Sequence, residues 1–313
     1  MNCPSNPDFE IIQRAAALIR EGKLVAFPTE TVYGLGANAL DARAVEKIFR
    51  VKGRPSTSPL IVHVESREQA RELVTEWPAA AESLAREFWP GPLTLVLPKR
   101  RAIPDIVTAG LPTVGLRVPA NACALALLAE AGVPIAAPSA NRFMELSPTT
   151  AEHVRKSLGN DVDLVLDGGA TQVGIESTVL SLAASKPVLL RPGMITVPQL
   201  EVLIGKIHLA GAPDGAAHAS PGMHPRHYSP RTPLVLSLPA RGNGAYLWLT
   251  RPATSACNIQ MPQDPARYAA VLYQRLHELD AEHYDWIAVE QPPEEPKWAG
   301  ITDRLRRAAN PPA

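Results

Sequence analysis

Residues 60–97 read LIVHVESREQARELVTEWPAAAESLAREFWPGPLTLVL. The run 60–64 is short, apolar and β-branched, which predicts a buried strand. Ser66 followed by Gln69 is a capping-box pair that opens a helix, and Pro78 suits the first turn of another. That second helix should stop near Trp89-Pro90-Gly91, and the run 93–97 begins a second strand. The same alternation extends upstream. Ile11, Ile12, Ala15, Leu18 and Ile19 recur at helical spacing over 8–21, with Gly22 as the stop. A strand at 24–27 ends at Pro28, and Asp41 caps a helix carrying Val45, Ile48 and Phe49. Downstream, 114–118 reads as a strand, Asn121 caps a helix closed by Gly132, and 134–137 is a strand. Thr149 and Glu152 form a second capping box, and strands follow at 164–166, 178–182 and 188–190. Strands alternating with helices of about a dozen residues predict an α/β fold, and neighbouring strands with no helix between them make the sheet mixed.

Beyond residue 205 the pattern changes. The stretch GAPDGAAHASPGMHPRHYSPR is rich in Gly, Pro, Ala and Ser and has no apolar period, so it reads as a linker. Strands near 233–238, 245–249 and 285–290, with helices near 265–280 and 298–309, then predict a small second α/β unit. The expected division is a main domain over 1–206, a linker over 207–232 and a C-terminal domain over 233–313.

Lys plus Arg and Asp plus Glu number 31 each. A protein whose main task is gripping nucleic acid carries an excess of basic charge, because phosphate contacts dominate that affinity. Direct RNA binding is therefore expected to be weak or absent. Cys3, Cys123 and Cys257 are far apart in the chain, which argues against a disulfide framework or structural zinc. The start MNCPSNPDFE lacks the pattern of a signal peptide, and no apolar stretch approaches the ~20 residues that span a bilayer. A cytoplasmic protein without membrane partners is expected.

Four groups of residues could carry chemistry. Pro28-Thr29-Glu30-Thr31-Val32-Tyr33-Gly34-Leu35-Gly36 follows a strand, where open α/β sheets place ligands. Gly34, Gly36 and Ala39 match a dinucleotide fingerprint, but six residues separate the strand from the first glycine, and the fingerprint needs a tight turn. A plain turn with two glycines competes with it. Lys52-Gly53-Arg54-Pro55-Ser56-Thr57-Ser58 places two cations and three hydroxyls on one loop, suited to a polyphosphate or to a solvated surface. Pro138-Ser139-Ala140-Asn141 follows a strand, and Ser147-Pro148-Thr149 opens a helix whose N-terminus favours phosphate. Finally, Arg117 interrupts an apolar strand. It must sit in a buried ion pair or face an anionic ligand. No GxxxxGK(S/T), GxSxG, HExxH or metal-spaced His/Cys set occurs, so P-loop, covalent-hydrolase and zinc-hydrolase chemistries lose support.

Taken in order, FPTETVYGLG, KGRPSTSPLIVHV, FWPGPLTLVL, VGLRVP, PIAAPSANRF with LSPT, VLDGG with GIESTVL, and LLRPG resemble the YrdC-like domain of threonylcarbamoyl-AMP synthases over roughly residues 10–204. SPGMHPRHYSP and WAGITDRLRRAA resemble the long, two-domain form. The resemblance implies a twisted mixed sheet around a positively charged cavity and a Rossmann-like C-terminal domain. It implies an enzyme, a nucleotidyltransferase, that joins L-threonine, bicarbonate and ATP into threonylcarbamoyl-AMP for a tRNA threonylcarbamoyltransferase. Lys52, Arg54, Ser139 and Asn141 match the family's K-x-R and S-x-N signature at the nucleotide, with Lys52 and Arg54 as the catalytic cations. Ser58, Thr113, Ser147, Arg191 and Tyr228 fall where the family meets ATP, and Thr31, His63, Arg117, Ala137 and Ser177 where it holds threonine. Many relatives carry Asn where this chain has Ser58, whose reach is shorter. Mg²⁺ is expected to travel with ATP, held by phosphates and water. His224, Arg226, His227 and Tyr228 are expected to form a lid. A non-catalytic protein that binds double-stranded RNA in ribosome assembly is the alternative.

Overall fold

The computed structural model describes residues 9–210, 228–237 and 242–309. The first unit contains α1 (Phe9–Arg20), β1 (Val25–Pro28), β2 (Tyr33–Asn38), α2 (Ala42–Lys52), β3 (Ile61–His63), α3 (Arg67–Glu72), α4 (Ala79–Phe88) and β4 (Leu93–Pro98). It continues with α5 (Asp105–Thr108), β5 (Thr113–Arg117), α6 (Ala122–Ala131), β6 (Ile135–Ala136), α7 (Ala151–Leu158), β7 (Leu164–Val165), β8 (Thr178–Ser181), β9 (Val188–Arg191), α8 (Val197–Ile204) and β10 (His208–Leu209). Its ten strands form one mixed sheet in the order β10-β9-β8-β4-β5-β3-β6-β2-β1-β7. The expected α/β class with a mixed sheet is what the chain adopts.

Local signals set many of the boundaries. Asp41 accepts the Arg43 N–H at the start of α2, and Gly53 ends that helix in the left-handed region. Asn121 accepts from Cys123 and Ala124 at the start of α6, and Gly132 closes it. The capping box expected from Thr149 is displaced by one residue. Thr150 is the cap of α7 and accepts from His153 N, while the Thr149 N–H faces His153 Nδ1 at 3.3 Å.

The fingerprint reading of Gly34 and Gly36 fails, and so does the turn that competed with it. Residues 33–38 are a strand, antiparallel to β1, with Phe27 opposite Gly34 and Val25 opposite Gly36. A Cβ on Gly36 would lie 2.8 Å from both Ile135 Cγ2 and Phe27 Cε1. The glycines let the core close over the strand, and they lie within it rather than in a strand-to-helix turn. Gly36→Ala is therefore expected to cost about 1–3 kcal/mol through overpacking, read as a lower denaturation midpoint at unchanged slope.

The second unit contains β11 (Leu234–Val235), β12 (Gly244–Trp248), β13 (Cys257–Gln260), α9 (Pro265–Asp280), β14 (Trp286–Val289) and α10 (Ala299–Ala308). Its four strands are all parallel, in the order β11-β14-β12-β13. Buried Glu290, just past β14, accepts the N–H groups of Leu249, Thr250 and Arg251 and the hydroxyl of Thr250. One apolar cluster joins the two units, since Val32, Leu146 and Ile175 pack with Tyr228, Tyr268, Leu272, Ile301 and Leu305. No helix among the described residues is long and apolar enough to cross a membrane.

Candidate active site

The β3–β5 register pairs His63 with Arg117, and the isolated bridge from Gly34 to Ser139 brings the segment after β6 beside β2. These strands, with the turn after β1 and the starts and ends of β8 and β9, wall a cavity that opens to solvent. Of the residues singled out from sequence, Thr31, Arg54, His63, Arg117, Ala137, Ser139, Ser177, Arg191 and Tyr228 line it. All the residues expected at threonine are therefore on one wall system, together with four of those expected at the nucleotide.

Five others stand elsewhere. Lys52 is buried, and its Nζ donates to the Ser139 carbonyl at 2.5 Å and to the Asn141 carbonyl. It pins the Ser139–Asn141 loop from behind and does not reach the cavity wall. Burial, then the neighbouring Arg54 charge, hold its ammonium pKa well below the usual lysine range. Asn141 Nδ2 donates to the Arg142 and Glu145 carbonyls, while its buried Oδ1 has no partner. Ser147 donates to Glu176 Oε1 at 2.5 Å. Ser58 is buried in the turn that its N–H closes on Pro55. Thr113 lines a different hollow with Pro59, Leu60 and Thr94. His224, Arg226 and His227 lie outside the described residues.

The wall is rich in guanidinium. Arg117 resolves the choice posed by its place in an apolar strand, because it does both things. It pairs with Glu30 (Nη2 to Oε1, 2.7 Å), both side chains being buried, and it still lines the cavity. Its Nη1 donates to Thr31 Oγ1 at 3.0 Å and its Nε to the Gly91 carbonyl at 3.1 Å. Arg191 donates through Nε and Nη2 to the carbonyl and hydroxyl of Ser177. Arg54 differs from both. Its Nη2 donates to the Pro59 carbonyl at 3.2 Å, its buried Nε has no hydrogen-bond partner, and no carboxylate among the described residues pairs with it. Burial lowers the Arg54 pKa to about 10; the nearby Tyr228 offsets part of that, and Arg191 adds to it. Burial likewise lowers Arg191. A guanidinium held away from water as that of Arg54 is, with its Nε unmet among the described residues, favours an anionic guest.

His63 is the neutral element of the wall. Burial and then Arg117 bring its pKa down to about 3, so the ring is uncharged at neutral pH, and its buried Nδ1 has no partner. It meets Phe27 edge to face with centroids 5.9 Å apart.

Three residues that complete the site had no role assigned from sequence: Glu30, Glu176 and Arg304. Glu176 lines the cavity, yet its carboxylate is met by Arg304 Nε at 2.7 Å and Tyr273 OH at 3.3 Å, both from the C-terminal unit. Burial pushes the Glu176 carboxyl up, but Arg304 and Arg191 together outweigh it and leave the pKa below its ordinary value. Arg304 could have been found from spacing, since it shares the helical face of Ile301, Leu305 and Ala308. Among the described residues no group of three or more His, Cys, Asp or Glu is placed to hold a metal ion.

Comparison with known proteins shows the family. Residues 17–193 match a family model described as telomere recombination, and residues 195–310 match the C-terminal domain of threonylcarbamoyl-AMP synthase. The threonylcarbamoyl-AMP synthase of Bacillus subtilis is 44% identical over 320 residues, spanning 95% of this chain and 92% of that protein. Its Pyrococcus abyssi counterpart is 51% identical over 228 residues, 72% of this chain and 67% of that one. The crystal structure of P. abyssi Sua5 complexed with L-threonine superposes with a TM-score of 0.91 at 40% identity, covering 96% of this chain and 95% of that one. The chain thus belongs to the threonylcarbamoyl-AMP synthase family, in its two-domain form.

Proposed function

We propose that this chain condenses L-threonine, bicarbonate and ATP into threonylcarbamoyl-AMP and pyrophosphate, and that the product passes to a tRNA threonylcarbamoyltransferase. The observation that carries this reading is the buried Arg54, which no carboxylate among the described residues meets, on the same cavity as Arg117 and Arg191. Such a wall suits a polyphosphate at one end and an amino-acid carboxylate at the other. The L-threonine complex of the P. abyssi relative supports the amino acid.

The reaction needs no protein nucleophile. Bicarbonate takes up a proton and loses water to give CO2, the neutral threonine amine captures the CO2 as a carbamate and gives back a proton, and a carbamate oxygen attacks the α-phosphorus of ATP while pyrophosphate leaves. The protein's task is to position these groups and offset negative charge as it moves to the leaving group. Arg54 and Arg191 would hold the phosphates. Ser139, fixed in place by Lys52, would read the nucleotide, with Tyr228 closing that end. Arg117, already oriented by Glu30 and Thr31, would take the threonine carboxylate. Neutral His63 offers Nδ1 as an acceptor to the threonine hydroxyl or ammonium. Mg²⁺ enters with ATP. The wall carboxylate Glu176 is engaged by Arg304 and Ser147, so phosphate oxygens and water would hold the ion.

Incubating the chain with ATP, Mg²⁺ and bicarbonate, with and without L-threonine, tests the reading. Pyrophosphate should appear only with all of them; ATP cleavage indifferent to threonine would defeat it. A salt-sensitive shift of double-stranded RNA without ATP consumption would favour the binding-protein alternative. Arg117→Ala is expected to raise the threonine KM by roughly tenfold or more while the ATP KM moves little. Initial rates against each substrate decide this, and a change confined to ATP would mean threonine is misplaced.

A further inference from the structure

A carboxylate on the wall of a cavity meant for a triphosphate repels its guest unless something neutralises it. Glu176 is such a carboxylate, and the residue that neutralises it comes from the other domain. Arg304 is 1% exposed. Its Nε meets Glu176 Oε2, its Nη2 donates to the Glu176 carbonyl at 3.2 Å, and its Nη1 donates to the Pro192 carbonyl at 2.8 Å. Residues 176 and 192 are the chain neighbours of Ser177 and Arg191, both on the cavity wall. The Arg304 guanidinium also lies over the Tyr228 ring, 5.4 Å from its centroid. One side chain of the C-terminal domain therefore fixes the backbone beside two wall residues and the ring of a third.

The backbone here needs glycine at two places, Gly300 where α10 meets residue 193 and Gly193 where the chain meets the start of β8. A Cβ on Gly300, in the first turn of α10, would lie 2.8 Å from the Gly193 carbonyl oxygen, and one on Gly193 would lie 2.5 Å from Thr178 N. Ser147 is gripped from the same side, through Glu176 Oε1 and through His277 Nε2, 3.1 Å from its carbonyl.

We propose that Glu176 and Arg304 are a positioning pair for the phosphate end of the cavity, so that the C-terminal domain completes the nucleotide site and is not a tether. This rests on the nucleotide-binding part of the reading above. It assigns Arg304 two jobs: cancelling the wall carboxylate, and holding Arg191 and Tyr228 in the geometry that receives phosphate. The threonine end, built from Arg117, Glu30, Thr31 and His63, shares no hydrogen bond or ion pair with Arg304 among the described residues and should be insensitive to it.

The test is equilibrium binding of Mg-ATP and, separately, of L-threonine to the full chain, measured by calorimetry for the wild type and three variants. Arg304→Gln leaves Glu176 charged and should weaken ATP by at least about tenfold while threonine binding stays within about twofold. Arg304→Lys keeps the charge but loses the planar fork to Pro192 and Glu176, and should fall between wild type and Arg304→Gln. The double variant Glu176→Gln/Arg304→Gln removes the repulsive charge together with its partner and should recover only the share of ATP affinity lost to that charge, leaving it between the single variant and wild type. A merely structural role would weaken both ligands together and gain nothing from the second substitution; either result overturns the proposal. Should Arg304→Gln fail to fold, Arg304→Lys and the double variant carry the same comparison, and unchanged ATP affinity in both overturns it. A wild type that binds ATP yet releases no pyrophosphate would remove the proposed reaction and leave this inference standing on binding alone.

Discussion

Arg54→Ala is expected to lower threonine-dependent pyrophosphate release by ~100-fold or more, the scale of losing one prearranged charge-stabilising donor. The reason lies in how the residue is held. The sequence puts it two residues past the end of α2, after the left-handed Gly53, and the chain then turns so that the guanidinium is buried on the cavity wall. Its one protein bond through Nη2 is to a neutral carbonyl, and its Nε has no partner. That arrangement is unfavourable without an anion and favourable with one, so removing it should be felt most as charge moves to the leaving pyrophosphate. Arg54→Lys should recover part of the rate, because it restores a charge but not the planar fork. Lys52→Ala should also be slow by a less direct route, since it frees the Ser139 and Asn141 carbonyls that Lys52 ties together. Near-normal rates in Arg54→Ala would remove it from the phosphate site.

Glu290→Gln is expected to cost about 3 kcal/mol of stability near neutral pH, with the loss fading in acid. The carboxylate accepts three consecutive backbone N–H groups at the end of β12 and the Thr250 hydroxyl. Burial raises its pKa, but those bonds to the charged form outweigh that and bring it from near 4.5 to about 2. A group whose folded pKa is depressed contributes stability above its unfolded pKa and loses it as pH falls through the folded value. A shift of this size is worth about 3 kcal/mol. The gap between wild type and variant should therefore be full above pH 5 and shrink between about 4.5 and 2. Denaturation midpoints at pH 7 and pH 3 check this, and a gap independent of pH would mean that shape, not charge, is what Glu290 supplies.

Several helices of the fold were readable because their signals are local. Caps at Asp41, Ser66 and Asn121 act within a few residues, and the spans of α6 and α9 follow from Asn121 to Gly132 and from the apolar period after Pro265. β2 was not readable, because Gly34 and Gly36 are poor strand formers whose reason for being there is the distant Phe27 ring and Ile135. β13 was missed because its residues alternate between half-buried and exposed at a sheet edge, with no apolar run to mark them. α8 was missed although Thr196 and Gln199 close a capping box, its N–H to Oε1 distance being 2.9 Å; Pro198 at the start masks the period.

At the site, residue types in family order led to nine wall residues. What order could not supply was which way each side chain turns. Lys52 and Arg54 are two residues apart, yet one pins a loop from behind and the other faces the cavity. The partners of the buried charges were equally hidden. Glu30 is 87 residues from Arg117, and Glu176 is 128 from Arg304. A sequence shows that a buried Arg needs a partner; only the folded chain says which carboxylate provides it.

The central claim is that one cationic cavity in the N-terminal domain seats a triphosphate beside a small amino acid. Its most direct test is a crystal structure of the chain with a non-hydrolysable ATP analogue, Mg²⁺ and L-threonine. The account predicts phosphate oxygens within hydrogen-bonding distance of Arg54 and Arg191 and the threonine carboxylate on Arg117 in the same cavity. Density for the nucleotide at any other surface, with this cavity holding only water, would contradict it.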